Sequence, residues 1–109
     1  MAGFIDIACN FTHPSFKNNL DQVISDAKAL DVKKFVLLCA SLEDLQPIRS
    51  IQSMNPSQFF ITAGIHPHHA NEILQLNEMP LIEKLSSIKP DAIGETGLDY
   101  FRNISPPEI

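Results

Sequence analysis

A chain of 109 residues, 44% hydrophobic and 19% charged, is long enough for one domain with a core, too short for two, and unlike a disordered or fibrous protein in composition. A formal net charge of −5 runs against a stand-alone module that grips nucleic acid by neutralising phosphates, and Lys33-Lys34 is too short a basic run to change that. No apolar run approaches the roughly 20 residues needed to span a bilayer, and the N-terminus MAGFIDIACNF has no basic leader and carries Asp6 inside its apolar stretch, unlike a secretory signal; the expectation is a cytoplasmic protein with no membrane association and no stable protein partner.

Phe4 to Cys9 reads as a buried strand, apolar except for Asp6. Asn10 to Phe16 follows as a loop, in which Pro14 holds His13 extended. Leu20, Val23, Ile24, Ala27 and Leu30 recur at helical spacing and predict one amphipathic helix. Phe35-Val36-Leu37-Leu38-Cys39 is continuously apolar, the pattern of a parallel strand covered on both faces. Ser41, with Asp44 three residues on, approximates a helix-starting cap. Leu45, Ile48 and Ile51 or Gln52 then carry a second helix to Asn55-Pro56-Ser57. Phe59 to Gly64 reads as a third strand. Pro80 suits the first turn of a third helix, with Leu81, Ile82, Leu85 and Ile88 facing inward. Lys89-Pro90-Asp91 turns the chain into a short strand, Ala92 to Gly94, and Ser105-Pro106-Pro107-Glu108 reads as the opening of a fourth helix, cut off before it forms.

This βαβαβαβ order predicts a parallel sheet with right-handed crossovers. It fits either a small doubly wound sheet or part of an eight-stranded barrel, which as a whole takes about 250 residues. In both folds function gathers at the carboxyl ends of the strands. The polar residues collect there: Asn10 and Thr12 after the first strand, His66-Pro67-His68-His69 after the third, Glu95 after the fourth. The opposite ends, Asp31 to Lys33 and Asn55 to Ser57, carry ordinary turn residues.

Glu95 directly follows Gly94 at the mouth of a strand, where a carboxylate can bridge two divalent cations through its two oxygens; the plainer alternative is a capping or ion-paired glutamate. His66, held extended by Pro67, can bind a metal or donate a hydrogen bond to a phosphate oxygen. Three histidines within four residues also suggest a metal cluster on composition, although Pro67 separates two of them. Arg102 can clamp a phosphate and the ring of Tyr100 can stack on a base, or the pair Tyr100-Phe101 can simply cover apolar surface beside a solvated arginine. Cys9 and Cys39, at the ends of apolar runs, read as packing thiols rather than a disulfide.

Three segments in order resemble the TatD family of metal-dependent deoxyribonucleases: Phe4-Ile5-Asp6-Ile7-Ala8-Cys9-Asn10-Phe11-Thr12, Thr62-Ala63-Gly64-Ile65-His66-Pro67-His68, and Ala92-Ile93-Gly94-Glu95-Thr96-Gly97-Leu98-Asp99-Tyr100. The last is the most specific, and the similarity runs over essentially the whole chain. The resemblance implies an α/β fold of the (β/α)8 TIM-barrel class, with residues 1–109 as its N-terminal half, about four βα units. It implies hydrolysis of DNA phosphodiester bonds by water activated between two divalent cations (Mg2+, Mn2+ or Zn2+). Glu95 falls on the bridging, catalytic metal carboxylate; Asn10, His66 and Arg102 are the expected substrate contacts.

Two departures accompany the resemblance. Many members open with a His-x-His pair on the first strand, where this chain has Ala8 and Asn10. The remaining ligands expected of the family, two histidines and an aspartate on later strands, would follow Ile109. The expectation is therefore an incomplete, inactive portion of a DNA-hydrolysing enzyme. The other readings of the same barrel are a small-molecule metal hydrolase and a non-catalytic half-barrel that pairs with another chain.

Overall fold

The strands that carry the longest apolar runs form the centre of the molecule. In the computed structural model, which describes residues 2–76 and 78–109, four parallel strands lie side by side in chain order: β1 (Phe4–Cys9), β2 (Val32–Leu37), β3 (Phe59–Ala63) and β4 (Ala92–Ile93). Sequential parallel order is that of a barrel wall, not of a doubly wound sheet, whose order reverses at a switch point. The sheet is a half-barrel. Helices α1 (Leu20–Ala29), α2 (Leu45–Met54) and α3 (Glu78–Ser86) form the crossovers.

β2 and β3, each with a neighbour on both sides, supply most of the core: Phe35 and Leu37 from one, Phe59, Ile61 and Ala63 from the other. α2 lays Leu45, Ile48 and Ile51 against them, and α1 adds Ile24. An aromatic file of Phe11, Phe35 and Phe59, with ring centroids 5.9 and 5.5 Å apart, runs from the turn after β1 across β2 to β3. Ser41 and Asp44 box a 3-10 turn, Leu42–Asp44, that leads into α2: Asp44 Oδ2 accepts the N–H groups of Ala40 and Ser41, each at 3.0 Å.

Three expectations need correction. β1 is not a buried strand: its residues from Phe4 to Ala8 are exposed and only Cys9 is buried. It has a strand neighbour on one side only, and its pairing with β2 is irregular between Phe4 and Ile5 and between Asp6 and Cys9. Leu30 ends α1 as an exposed residue, and Ile82 lies on the outer side of α3, while Leu85 packs on the core and Ile88 is buried just past the helix. The stretch after β3, to which the sequence assigned no element, winds into a 3-10 helix at Pro67–Gln75. The final segment, the cut-off opening of a helix by sequence, forms a turn closed by the Ile109 N–H on the Pro106 carbonyl at 3.1 Å.

Cys9 and Cys39 are buried free thiols, as their positions predict. Burial, and then the Asp6 carboxylate, push the Cys9 thiol up to about 12, and burial also raises that of Cys39. Both are neutral packing groups. Among the described residues, no helix is long and apolar enough to cross a membrane.

Candidate active site

The carboxyl ends of β2, β3 and β4 are tied together by backbone hydrogen bonds, and this fixes the rim on which the polar residues stand. The His66 N–H donates to the Ala40 carbonyl at 2.8 Å, and the Gly94 N–H to the Ala63 carbonyl at 3.0 Å. The Glu95 N–H reaches the Cys39 carbonyl at 3.3 Å. Below them the Thr62 hydroxyl accepts the Cys39 N–H at 3.1 Å, and the Cys39 thiol donates to the Gly64 carbonyl at 3.2 Å. At the start of β4, Asp91 exchanges two bonds with Ile61, accepting its N–H at 2.8 Å and donating to its carbonyl at 2.9 Å. Gly64 is required by this closeness: a Cβ there would sit 2.5 Å from the Glu95 carbonyl oxygen and 2.7 Å from Gly94.

On that rim an open cleft of about 250 Å³ is lined by Asn10, His66, His68, His69 and Glu95, with Leu38 and Ala40. Three of the four site residues expected from the sequence thus converge from three different strand ends. The Glu95 side chain is 46% exposed, and its Oε1 lies 3.7 Å from His66 Nε2, within ion-pair range but beyond a hydrogen bond. Glu95 is therefore not held in a tight structural pair.

His66 has a defined role for each ring nitrogen. Its Nδ1 accepts the backbone N–H of His68 at 3.0 Å. In the neutral ring the proton then sits on Nε2, the nitrogen nearer Glu95. An Nε2–H is a donor, suited to a phosphate oxygen, and is not a metal lone pair. The metal cluster suggested by three nearby histidines does not form. His69 Nδ1 lies 3.5 Å from Glu72, whose other oxygen accepts the Leu42 N–H at 2.9 Å. Among the described residues, no group of three or more His, Cys, Asp or Glu side chains gathers to hold a cation. Glu95 fits one corner of a metal centre; the described residues do not make a whole one.

Arg102 does not line the cleft. Its Nη1 lies 3.3 Å from Asp99 Oδ2, on which His68 Nε2 also converges at 3.3 Å. The other Asp99 oxygen accepts the N–H groups of Phe101 and Arg102 at 2.9 and 3.0 Å. Those backbone donors of Arg102 and Phe101, followed by the Arg102 guanidinium, hold the Asp99 carboxyl down to about 2. The loop after β4 is thus braced against the loop after β3. Gly97 is at φ +143°, where a Cβ would lie 3.2 Å from Pro67 Cγ, and the buried Ser105 hydroxyl accepts the Asn71 N–H at 3.1 Å. Sequence reasoning did not find Asp99, Glu72, Asp91 or Ser105. Each acts between segments distant in sequence with no periodic signal; a carboxylate two or three residues before donors, as in Asp99-Tyr100-Phe101-Arg102, is the one local cue.

The profile of the family described as TatD related DNase matches residues 5–109. The chain belongs to this family. TatD relatives include the 3'-5' ssDNA/RNA exonuclease TatD of Erwinia billingiae, 36% identical over 103 residues, which cover 94% of this chain and 40% of the relative. The protein of the same name from Escherichia coli K12 is 32% identical over 103 residues, covering 94% and 39%. The chain therefore spans about 40% of the length of the curated relatives it matches. The crystal structure of YJJV, a TatD homologue of Escherichia coli K12, superposes with a TM-score of 0.69 at 24% identity, over 92% of this chain and 39% of that one. The TatD barrel wall and the half-barrel described above are the same fold.

Proposed function

We propose that residues 1–109 are the N-terminal half of a TatD-type, metal-dependent nuclease barrel that hydrolyses phosphodiester bonds in nucleic acid, single-stranded DNA or RNA as the names of its relatives suggest. The observation that carries this reading is the convergence of Asn10, His66 and Glu95 on one cleft at the strand carboxyl ends. Glu95 offers an exposed carboxylate as a metal ligand. The His66 Nε2–H and the Asn10 amide are donors for a phosphate oxygen. Arg102, held at Asp99, would meet the strand outside the cleft rather than within it.

A divalent cation, when bound, would acidify a coordinated water and offset charge on the phosphoryl group. The chain's own groups supply one carboxylate toward such a centre, so the remaining donors have to come from outside these residues. That is why the isolated chain should be inactive. A specific observation favours pairing with a further segment: the apolar residues of the two outer strands, Phe4, Ile5 and Ile7 on β1 and Ile93 on β4, are exposed.

The test is hydrolysis of a labelled single-stranded oligonucleotide with Mg2+ or Mn2+. The chain alone should give no turnover above background. Joined to the remaining part of the Erwinia billingiae relative, it should cleave. Glu95→Gln in that chimera should lower kcat by about two orders of magnitude, the scale of losing a principal electrostatic stabiliser of the transition state. A cleaving chimera whose Glu95→Gln form keeps its rate would contradict the assignment.

A further inference from the structure

The donor nitrogen that His66 turns toward the cleft depends on a contact chain leading away from it. His66 Nδ1 is occupied by the His68 N–H at 3.0 Å. The ring of His68 stands edge-on to that of His66, with centroids 4.5 Å apart. His68 Nε2 in turn lies 3.3 Å from Asp99 Oδ2. The Asp99 side chain is only 9% exposed, and both its oxygens are engaged, one by two backbone N–H groups of its own loop. It is the most firmly anchored member of the chain, whereas His68 sits at the start of a 3-10 helix with its ring between Asp99 and the His66 ring.

We propose that Asp99 is a positioning residue for the cleft: by anchoring the His68 ring it holds the His68 backbone N–H on His66 Nδ1 and so keeps His66 Nε2–H facing the place where a phosphate would bind. Among the described residues, His68 is the cleft-lining group that Asp99 meets through a polar contact, and Asp99 acts through it. With the brace released, the first turn after Pro67 can rotate, Nδ1 loses its donor, and the His66 ring is free to swing or exchange tautomers. The geometric part of this inference stands by itself; its consequence for substrate rests on the proposed nuclease reading.

A through-hydrogen-bond scalar coupling between the His68 amide nitrogen and His66 Nδ1, read by NMR on the 15N-labelled chain, reports the contact directly. The coupling should be present in the unaltered chain and lost in Asp99→Asn, which can still accept from the Phe101 and Arg102 N–H groups but has no charge for His68. It should survive Ser105→Ala, which cuts another tether between the same two loops, and Arg102→Gln, which removes the other partner of Asp99. His68→Leu keeps Asp99 and deprives it of the ring, so it should lose the coupling too, and it serves if Asp99→Asn does not fold. Retention of the coupling in Asp99→Asn or His68→Leu would overturn the proposal, and so would its loss in Ser105→Ala, which would mean that any loosening of the loops suffices. Addition of a short oligothymidylate to the same sample separates the two claims. A shift of the His66 Nε2–H signal is expected; no shift with the coupling pattern intact would sink the phosphate-contact reading and leave the brace standing.

Discussion

The inner and outer strands of this sheet are almost equally apolar in sequence and opposite in environment. Phe35 of β2 is 1% exposed and Ile61 of β3 is 0% exposed, while Ile7 of β1 is 73% and Ile93 of β4 is 67% exposed. What differs is the number of neighbours. A strand with partners on both sides has its side chains covered by adjacent side chains and by crossover helices, and an edge strand has half of that cover. Apolar pattern therefore records which surfaces need a partner, and only the inner pair finds its partner within these residues.

That contrast predicts unequal costs of mutation. Phe35→Ala removes a ring that stacks on both Phe11 and Phe59 and should destabilise the fold by about 3–5 kcal/mol. Ile7→Ala, at the exposed edge, should change stability by less than about 0.5 kcal/mol. Urea unfolding of both variants checks the pair of values. A large loss at Ile7 would mean that β1 is covered in solution, by a second copy or by another segment.

The next contrast lies within the rim itself. Gly64→Ala adds one methyl where the Glu95 carbonyl would be 2.5 Å away, and should cost about 1–3 kcal/mol as β4 is displaced. Adding a methyl at Gly94, with nothing within 4 Å, should not crowd a neighbour. Melting temperatures, together with the amide shift of Glu95, distinguish a displaced strand from a merely weakened one.

A smaller effect is expected with pH. The folded-state pKa of Asp99, about 2, is depressed below its ordinary 3.8, so the folded chain favours the carboxylate. In that window the unfolded chain binds more protons, and the contribution of Asp99 is fully present above about pH 4 and lost as pH falls through about 2. Asp99→Asn should therefore differ from the unaltered chain in urea midpoint at pH 5 and approach it near pH 2. An unchanged difference across that range would show that the carboxylate charge is not what ties the loop.

The same division between inner and outer elements decides what could be read from sequence. β2, β3 and α2 were legible because Phe35 to Cys39 is continuous and Leu45, Ile48 and Ile51 keep one helical stripe. The exposure of Phe4, Ile5 and Ile7 was not, since a sequence shows a demand for burial but not whether a neighbour exists to meet it. The 3-10 helix at Pro67–Gln75 was missed because its stripe, Ala70, Ile73 and Leu74, is a single short one in an otherwise polar run. Asn10, His66 and Glu95 were legible as rim residues, because parallel strands deliver whatever follows them to one end. Arg102 was expected beside them and stands instead at Asp99, since the loop after Glu95 takes its course from contacts made with the loop after β3.

The central claim is that the Glu95 carboxylate faces a cation and a substrate rather than serving the fold. Paramagnetic broadening by Mn2+ of the amide resonances of this chain tests it most directly. Low Mn2+ should selectively broaden Glu95, His66 and Asn10, the residues that share the cleft, with weak affinity because a single carboxylate is a poor cage for a divalent ion. Glu95→Gln should abolish the broadening while leaving the melting temperature essentially unchanged, since the side chain is half exposed and makes no short hydrogen bond. Broadening that persists in Glu95→Gln, or a mutant clearly destabilised without Mn2+, would show instead that Glu95 is a structural carboxylate.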